Sequence, residues 1–126
     1  WRAIHDRAVT VFEGHCERNY IHVRDVTKAF LHAIEHFDSM KDRPYNVGLD
    51  DANLSKLELC AEIKRQVPQF VYSEAPIGED PDKRDYIVSN KRILATGFTP
   101  DWSLARGIRE LTKCYTVIGG TGYGNV

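Results

Sequence analysis

Short runs of β-type residues alternate along this chain with segments in which apolar residues recur at helical spacing. Four runs rich in β-branched and aromatic residues predict strands: VTVF (9–12), NYIHV (19–23), PYNVG (44–48) and FVYSEAP (70–76). The segments that follow the second and third runs have the period of amphipathic helices. The order strand, helix, strand, helix, strand, loop, helix, helix predicts an α/β protein with a small sheet and helices packed on it.

The first helical segment follows Asp25, whose carboxylate suits an N-cap. Its apolar residues form one stripe, composed of Val26, Ala29, Phe30, Ala33, Ile34 and Phe37. This stripe puts His32 on the opposite, solvated face of the helix. His32 and His36 have the spacing of two metal ligands on a helix, but no third ligand is evident, so we predict no metal site.

The second half of the chain carries strong local signals. SKLE (55–58) is a capping box, and it predicts a helix that Pro68 ends. A long polar loop is predicted over 77–85, because the segment combines charge with Gly and Pro. A short helix that ends at Gly97 follows, and then a last helix over 103–115.

The chain is predicted to hold one domain, 1–118, and a Gly-rich mobile tail, 119–126. The tail GGTGYGNV does not match the G-x-G-x-x-G fingerprint, and no helix follows it to meet a phosphate. We therefore do not expect it to seat a nucleotide.

Composition and charge exclude several classes of function. The formal net charge is −1, which gives no broad attraction to nucleic acid or to an anionic membrane. No apolar run approaches the roughly 20 residues that span a bilayer. The three cysteines, at positions 16, 60 and 114, have no zinc spacing and are interpreted as reduced thiols in a cytoplasmic protein.

Positive charge is concentrated in two predicted loops beside short strands. Arg18 and Arg24 lie in the first loop, and Lys83 and Arg84 lie in the second. Arginine carries a planar fork of donors that fits a phosphate, so two such loops on neighbouring strand ends could hold a diphosphate. The alternative is a set of solvated surface charges paired with Glu17, Asp25, Asp82 or Asp85. Spacing alone favours this alternative.

Three blocks of the chain carry longer motifs, which stand in the order ERNYIHVRDVTKAFLHAIE, PYNVGLDDANLSKLEL and DKRDYIVSNKRILATGFTPDWSLARGIREL. The first resembles the R-D-[FY]-I-H-V-x-D-[VL] segment of the extended short-chain dehydrogenases/reductases, the NAD-dependent nucleotide-sugar epimerases and dehydratases. The second resembles their [YF]-N-[VI]-G strand and capped helix. The third resembles their closing segment, and together the blocks cover about residues 9–115.

The resemblance implies roles for three residues. In that family the C-terminal third forms most of the nucleotide-sugar pocket, so 1–118 is expected to be a nucleotide-sugar-binding domain without the N-terminal Rossmann half. The arginine of the first block lies near the substrate's diphosphate, and here that is Arg18. The arginine of the closing block lies near the phosphates or the ribose, and here that is Arg84. Asp82 belongs to the same closing motif and is taken as a third substrate-binding residue.

Two motifs of the family are absent from the sequence: the T-G-x-x-G-x-x-G loop that seats NAD and the Y-x-x-x-K pair that carries the proton chemistry. Arg24 also stands where the family usually has Asp. We therefore expect no catalytic residue and no cofactor in this chain, with NAD and the hydride-transfer machinery supplied by a missing N-terminal part of the parent. His22 is interpreted as a structural, hydrogen-bonded histidine, since no nucleophile motif is present.

The sequence is thus interpreted as the substrate-binding portion of an NAD-dependent epimerase or dehydratase, inactive in isolation. Its expected partners are a nucleotide sugar and either copies of itself or a companion cofactor-binding chain, because so few strands cannot cover all the apolar helix stripes. Two alternatives stay open. One is a stand-alone module that binds a phosphate ester or nucleotide sugar, and the other is a structural fragment that pairs with another chain.

Overall fold

The computed structural model of the chain describes residues 1–82 and 84–118. Lys83 and the tail 119–126, which we predict to be mobile, lie outside the described residues. The elements in chain order are α1 (Arg2–His5), β1 (Ala8–Val11), β2 (Glu17–Asn19), α2 (Val23–Glu35), α3 (Phe37–Met40), β3 (Asn53–Ser55), α4 (Lys56–Gln66), β4 (Val71–Glu74), α5 (Lys91–Leu94) and α6 (Leu104–Ile118). The predicted α/β class is confirmed.

The strands form two separate pairs rather than one small sheet. β1 and β4 are parallel, with Ala8 opposite Val71, which confirms the first and last predicted strands. β2 and β3 are antiparallel, with Glu17 opposite Ser55. The second predicted strand is therefore shifted toward the N-terminus, because the chain leaves the pair after Asn19 and enters α2. β3 (Asn53–Ser55) is not among the predicted strands, and it ends at the N-cap residue of the capping box.

The strand predicted over 44–48 is wrong. In the described part of the chain no strand pairs with this segment, so it lacks the hydrogen-bonded ladder that defines a strand. Its larger apolar side chains, Tyr45 and Val47, pack against the core instead. The β-type composition of the segment therefore reflects side-chain burial on one side rather than pairing of its backbone.

Two hydrogen bonds between the Asn19 side chain and the Leu49 backbone fix the path of this segment beside β2. Asn19 Nδ2 donates to the Leu49 carbonyl at 2.7 Å, and Asn19 Oδ1 accepts from the Leu49 N–H at 3.2 Å. A Cβ atom on Gly48 would stand 1.7 Å from Asn19 Oδ1, far inside van der Waals contact. Position 48 therefore requires glycine, because any side chain there would displace the amide that joins β2 to this segment.

The interpretation of Asp25 as an N-cap is wrong. α2 begins earlier, and its N-cap is His22, whose Nδ1 accepts from the Arg24 N–H at 3.2 Å. Asp25 therefore lies inside the first turn, with 1% of its surface exposed. Its carboxylate oxygens accept from the backbone N–H of Asp101 at 2.9 Å and of Trp102 at 3.0 Å. Asp25 thus ties α2 to the segment before α6.

The buried core lies between α2, α3, α5 and the segment that follows α5, and its members are Ala29, Met40, Ile93 and Phe98. The predicted stripe of α2 is only partly covered, because Ala29 is buried whereas Phe30 and Ile34 are each 70% exposed. Half of the apolar face that the sequence assigns to the core therefore faces outward.

The prediction that His32 faces solvent is wrong. His32 is half-buried, and its Nε2 lies 2.8 Å from Thr96 Oγ1. Its ring centroid lies 5.7 Å from that of Phe98. The segment after α5 packs on this side of α2, which the periodicity of α2 alone could not reveal.

The local signals of the second half are confirmed. Ser55 Oγ accepts from the Glu58 N–H at 3.2 Å, and Glu58 Oε2 accepts from the Ser55 N–H at 2.8 Å, which completes the capping box. These bonds lower the pKa of Glu58. Gly97 follows the short α5 with φ +88°, a conformation that favours glycine. None of the helices in the described residues has the length and apolarity to cross a membrane.

Candidate anion-binding site

An irregular segment between β4 and α5, which we call the strap (77–82 and 84–90), lies beside the β2–β3 pair. Asp85 Oδ1 accepts from the Glu17 N–H at 2.7 Å. Further along, the Asn53 side chain exchanges two hydrogen bonds with the backbone of Val88, at 2.8 and 3.1 Å. The described residues of the predicted polar loop, 77–82 and 84–85, are therefore confirmed as irregular chain. Side-chain contacts and one backbone hydrogen bond, from the Tyr86 N–H to the Glu17 carbonyl at 3.4 Å, hold the strap beside β2 and β3.

The strap brings the three sequence-predicted site residues together. Arg84 Nε and Nη2 donate to Asp82 Oδ1 and Oδ2, both at 2.6 Å, in a two-point ion pair. Arg18, on β2, approaches the same carboxylate, with Nη2 3.5 Å from Asp82 Oδ1. Arg18 Nη2 also donates to the Asp82 carbonyl at 3.1 Å. Two guanidinium groups from distant parts of the sequence thus meet at one carboxylate.

The two arginines differ in how firmly they are held. The Arg18 side chain is 12% exposed, and its Nη1 donates to the Glu17 carbonyl at 2.8 Å. Its guanidinium also lies 5.4 Å from the centre of the Tyr86 ring. The Arg84 side chain is 71% exposed, with contacts to Asp82. Arg18 is therefore a largely buried, fixed donor, whereas Arg84 is an exposed arginine paired with Asp82, as the alternative interpretation predicts.

The charges at this cluster reinforce one another. The hydrogen bonds from Arg84 hold the pKa of the Asp82 carboxyl well below its usual range, and the charge of Arg18 acts in the same direction. The same pair raises the pKa of Arg84. Because the pKa of Asp82 is lowered, stability from this pair is present above the ordinary aspartate range and is lost only in strong acid. All three groups are charged at neutral pH.

A second ion pair anchors the strap and was not predicted from the sequence. Lys56 Nζ donates to Asp80 Oδ2 at 2.5 Å and to the Phe12 carbonyl at 2.9 Å. Asp80 Oδ1 in turn accepts from the Asp82 N–H at 2.8 Å, and the bond from Lys56 is the main reason that the pKa of Asp80 is lowered. Lys56 directly follows the N-cap of α4, so the capping box gives its position but not its partner.

Arg24 does not join Arg18, although the sequence places both in one loop. Arg24 Nη2 donates to Glu110 Oε1 at 2.7 Å, and its guanidinium lies 4.7 Å from the centre of the Trp102 ring. His22 stacks on the same ring at 4.2 Å, and its Nε2 lies 2.8 Å from Glu110 Oε2. This confirms the structural interpretation of His22, and it removes Arg24 from the candidate site.

Other features of the described residues do not form a comparable site. A wide, open depression of about 560 Å³ is lined by Pro44, Asn46, Ser89, Lys91 and Arg92, but Arg92 Nη1 already donates to the Pro44 carbonyl at 2.8 Å. Within 1–82 and 84–118 no group of three or more His, Cys, Asp or Glu side chains could hold a metal ion. The three cysteines are free thiols, and burial raises the pKa of Cys60.

The described residues thus define a small α/β fold with a site at which two arginines surround one acid. Residues 1–48 match the model of the NAD dependent epimerase/dehydratase family. The match includes β1, β2 and α2, and with them Arg18, whereas Asp82 and Arg84 lie beyond it. It supports an epimerase-like origin for this part of the chain, in a family described as NAD dependent.

Proposed function

We propose that this chain provides the nucleotide-sugar-binding part of an NAD-dependent epimerase or dehydratase, with Arg18 and Arg84 holding the substrate's diphosphate. The observation that carries the proposal is the convergence of both guanidinium groups on the Asp82 carboxylate. A phosphate oxygen accepts the same forked pair of hydrogen bonds as a carboxylate. The position between the two arginines is therefore built for an anionic group.

The two arginines would act differently in this proposal. Arg18 is held by the Glu17 and Asp82 carbonyl groups, so it would present its charge to the ligand at little entropic cost. Arg84 is exposed and attached through Asp82, so it would reorient to close over the second phosphate. Asp82 itself carries a negative charge, so it would not donate to the phosphates, and its contacts to both arginines bear on how a ligand enters the site.

The helix starts among the described residues do not suit NAD. The three helices of eight or more residues there begin with side-chain caps: His22 at α2, Ser55 at α4 and Ser103, whose Oγ accepts from the Arg106 N–H, at α6. None of these starts is a glycine-rich turn at which a pyrophosphate could approach the backbone. We therefore assign no step of hydride transfer to residues of this chain, and the proposal covers substrate binding.

A thermal-shift screen against UDP-, GDP-, CDP- and dTDP-sugars tests the proposal. We expect at least one series to raise the unfolding temperature, because a ligand that binds the native state stabilises it in proportion to RT ln(1 + [L]/Kd). The free sugars and the nucleosides, which lack the diphosphate, should give no shift. Arg65→Ala should keep the same shift and serves as a control, because Arg65 is an exposed arginine that pairs with Glu62 away from the candidate site. A folded chain that no nucleotide sugar stabilises would contradict the proposal.

We further propose that the outer face of α2 packs against the part of the parent protein that carries the cofactor. Phe30 and Ile34 of α2 are each 70% exposed, and Phe37 at the start of α3 is 62% exposed; all three lie within the family match. Adjacent apolar side chains of this size usually have a partner.

The isolated chain is accordingly expected to self-associate at high concentration and to bind a hydrophobic dye. Combining Phe30→Glu with Ile34→Glu should reduce both effects, because the charges prevent burial of the face. Ile87→Glu is the matched control, since Ile87 is also 70% exposed but lies on the strap. Light scattering and dye fluorescence measure the outcome. A monomer without dye binding would count against a partner for α2.

A further inference from the structure

We propose that Asp82 is an internal competitor for the anion-binding site, which a phosphate ligand must displace before it can bind both arginines. The inference rests on the proposed function and adds a determinant of affinity to it. In the ligand-free chain the position between Arg18 and Arg84 is already taken by the Asp82 carboxylate. Ligand binding at this position is therefore an exchange of one anion for another.

The geometry of the ion pair supports the exchange. Both oxygens of Asp82 accept from Arg84, at 2.6 Å each, so the Nε–Nη2 edge of the Arg84 fork is filled. This edge is one of those that a phosphate would use for two parallel hydrogen bonds. The Asp82 Oδ1 atom also lies 3.5 Å from Arg18 Nη2. A phosphate at the same position and the Asp82 carboxylate would repel each other, so one of them has to leave.

Asp82 can leave its position between the arginines while the strap stays attached at two neighbouring points. On one side Asp80 is bound to Lys56, whose side chain is 16% exposed. On the other side Asp85 accepts from the Glu17 N–H at 2.7 Å. Asp82 lies between these two anchors along the chain, and its own side chain is 39% exposed, so it can turn toward solvent while Asp80 and Asp85 keep their partners. Exposed ion pairs of this kind are weak, which makes the exchange feasible.

The exchange also sets a threshold of affinity that an anion must exceed before it binds. A ligand with one negative charge, such as a carboxylate, makes the same contacts to the arginines that Asp82 makes. Its binding therefore yields little net free energy. A diphosphate brings more charge and more acceptor oxygens to the same two guanidinium groups, so it gains more than Asp82 gives up. Asp82 thereby raises the threshold for weakly charged anions and leaves the site to phosphate-bearing ligands.

Calorimetric titration of the full 126-residue chain with inorganic pyrophosphate and with inorganic phosphate tests the inference. Asp82→Asn keeps the shape of the side chain but removes its charge. Asp85→Asn is the matched control, because it removes the same charge from the same strap while its Oδ1 can still accept from the Glu17 N–H. We expect Asp82→Asn to bind pyrophosphate about 3- to 10-fold more tightly than Asp85→Asn, and to bind inorganic phosphate more tightly by a similar factor.

Three other outcomes overturn the inference, and they separate it from the proposed function. If both variants bind pyrophosphate equally and the wild type binds it too, Asp82 does not compete, but the arginine site stands. If Asp82→Asn binds more weakly than Asp85→Asn, Asp82 positions the arginines and does not block them. If the wild type and both variants are folded by circular dichroism and none binds pyrophosphate or a nucleotide sugar, the proposed function fails as well.

Discussion

Replacing Asp25 with alanine is expected to lower the free energy of unfolding by about 2–4 kcal/mol. The carboxylate is 1% exposed and accepts the backbone N–H groups of Asp101 and Trp102. Alanine would leave both donors without a partner in a partly buried place, and it would leave a cavity beside the first turn of α2. The contact joins α2 to the segment before α6, so its loss should loosen the packing of α6.

Urea unfolding measures this effect. Asp38→Ala is the matched control, because the Asp38 side chain is 95% exposed and pairs with Lys41 nearby in sequence. If Asp25→Ala does not fold, Asp25→Asn gives the answer, since an amide keeps one acceptor oxygen and should lose about half of the stabilisation. An unfolding midpoint of Asp25→Asn or Asp25→Ala equal to that of Asp38→Ala would show that the tie contributes nothing.

The largest effect on binding is expected from Arg18→Ala, which should weaken binding of the best nucleotide sugar by roughly 10- to 150-fold. Charge-assisted hydrogen bonds to a phosphate are stronger than neutral ones, and Arg18 is already held in place for them. Arg18→Lys should lose much of the same affinity, because an ammonium group keeps the charge but not the fork. Arg24→Ala should bind almost as wild type, since Arg24 pairs with Glu110 and lies outside the site.

The burial of Arg18 requires a folding control for this prediction. Because its side chain is 12% exposed and contacts the Asp82 carbonyl, Arg18→Ala could loosen the strap as well as remove a donor. Arg18→Lys separates these effects, because lysine fills a similar volume. Binding by Arg18→Ala at the wild-type affinity, with the wild-type unfolding temperature, would contradict the role of Arg18.

The sequence was sufficient to predict those structural features that depend on residues close together in the chain. The Ser55–Glu58 capping box and the polar loop predicted over 77–85 follow from short-range chemistry, and both are confirmed in the described residues. The predictions that failed depend on distant contacts. Asp25 looks like a cap, but its acceptors face N–H groups that follow it by 76 and 77 positions. His32 looks solvated until the segment after α5 covers it.

The candidate site also has a part that the sequence predicts and a part that depends on distant contacts. Arg18, Asp82 and Arg84 could be chosen from motifs, because their residue types suit an anionic ligand. Their meeting at one point depends on the path of the strap, which is set by pairs such as Lys56 with Asp80. The positive charge of Lys56 gives no indication of its partner 24 positions later. Sequence reasoning therefore found the donors but not the contacts that bring them together.

Calorimetric titration of wild type, Arg18→Ala, Arg84→Ala and the double variant with the best nucleotide sugar tests the central claim most directly. If both arginines hold one diphosphate, each single variant binds at least about 10-fold more weakly, and the double variant loses less than the product of the two single losses. Single variants that remain folded and bind like the wild type would contradict the claim, and so would losses that multiply fully, as expected of two independent contacts.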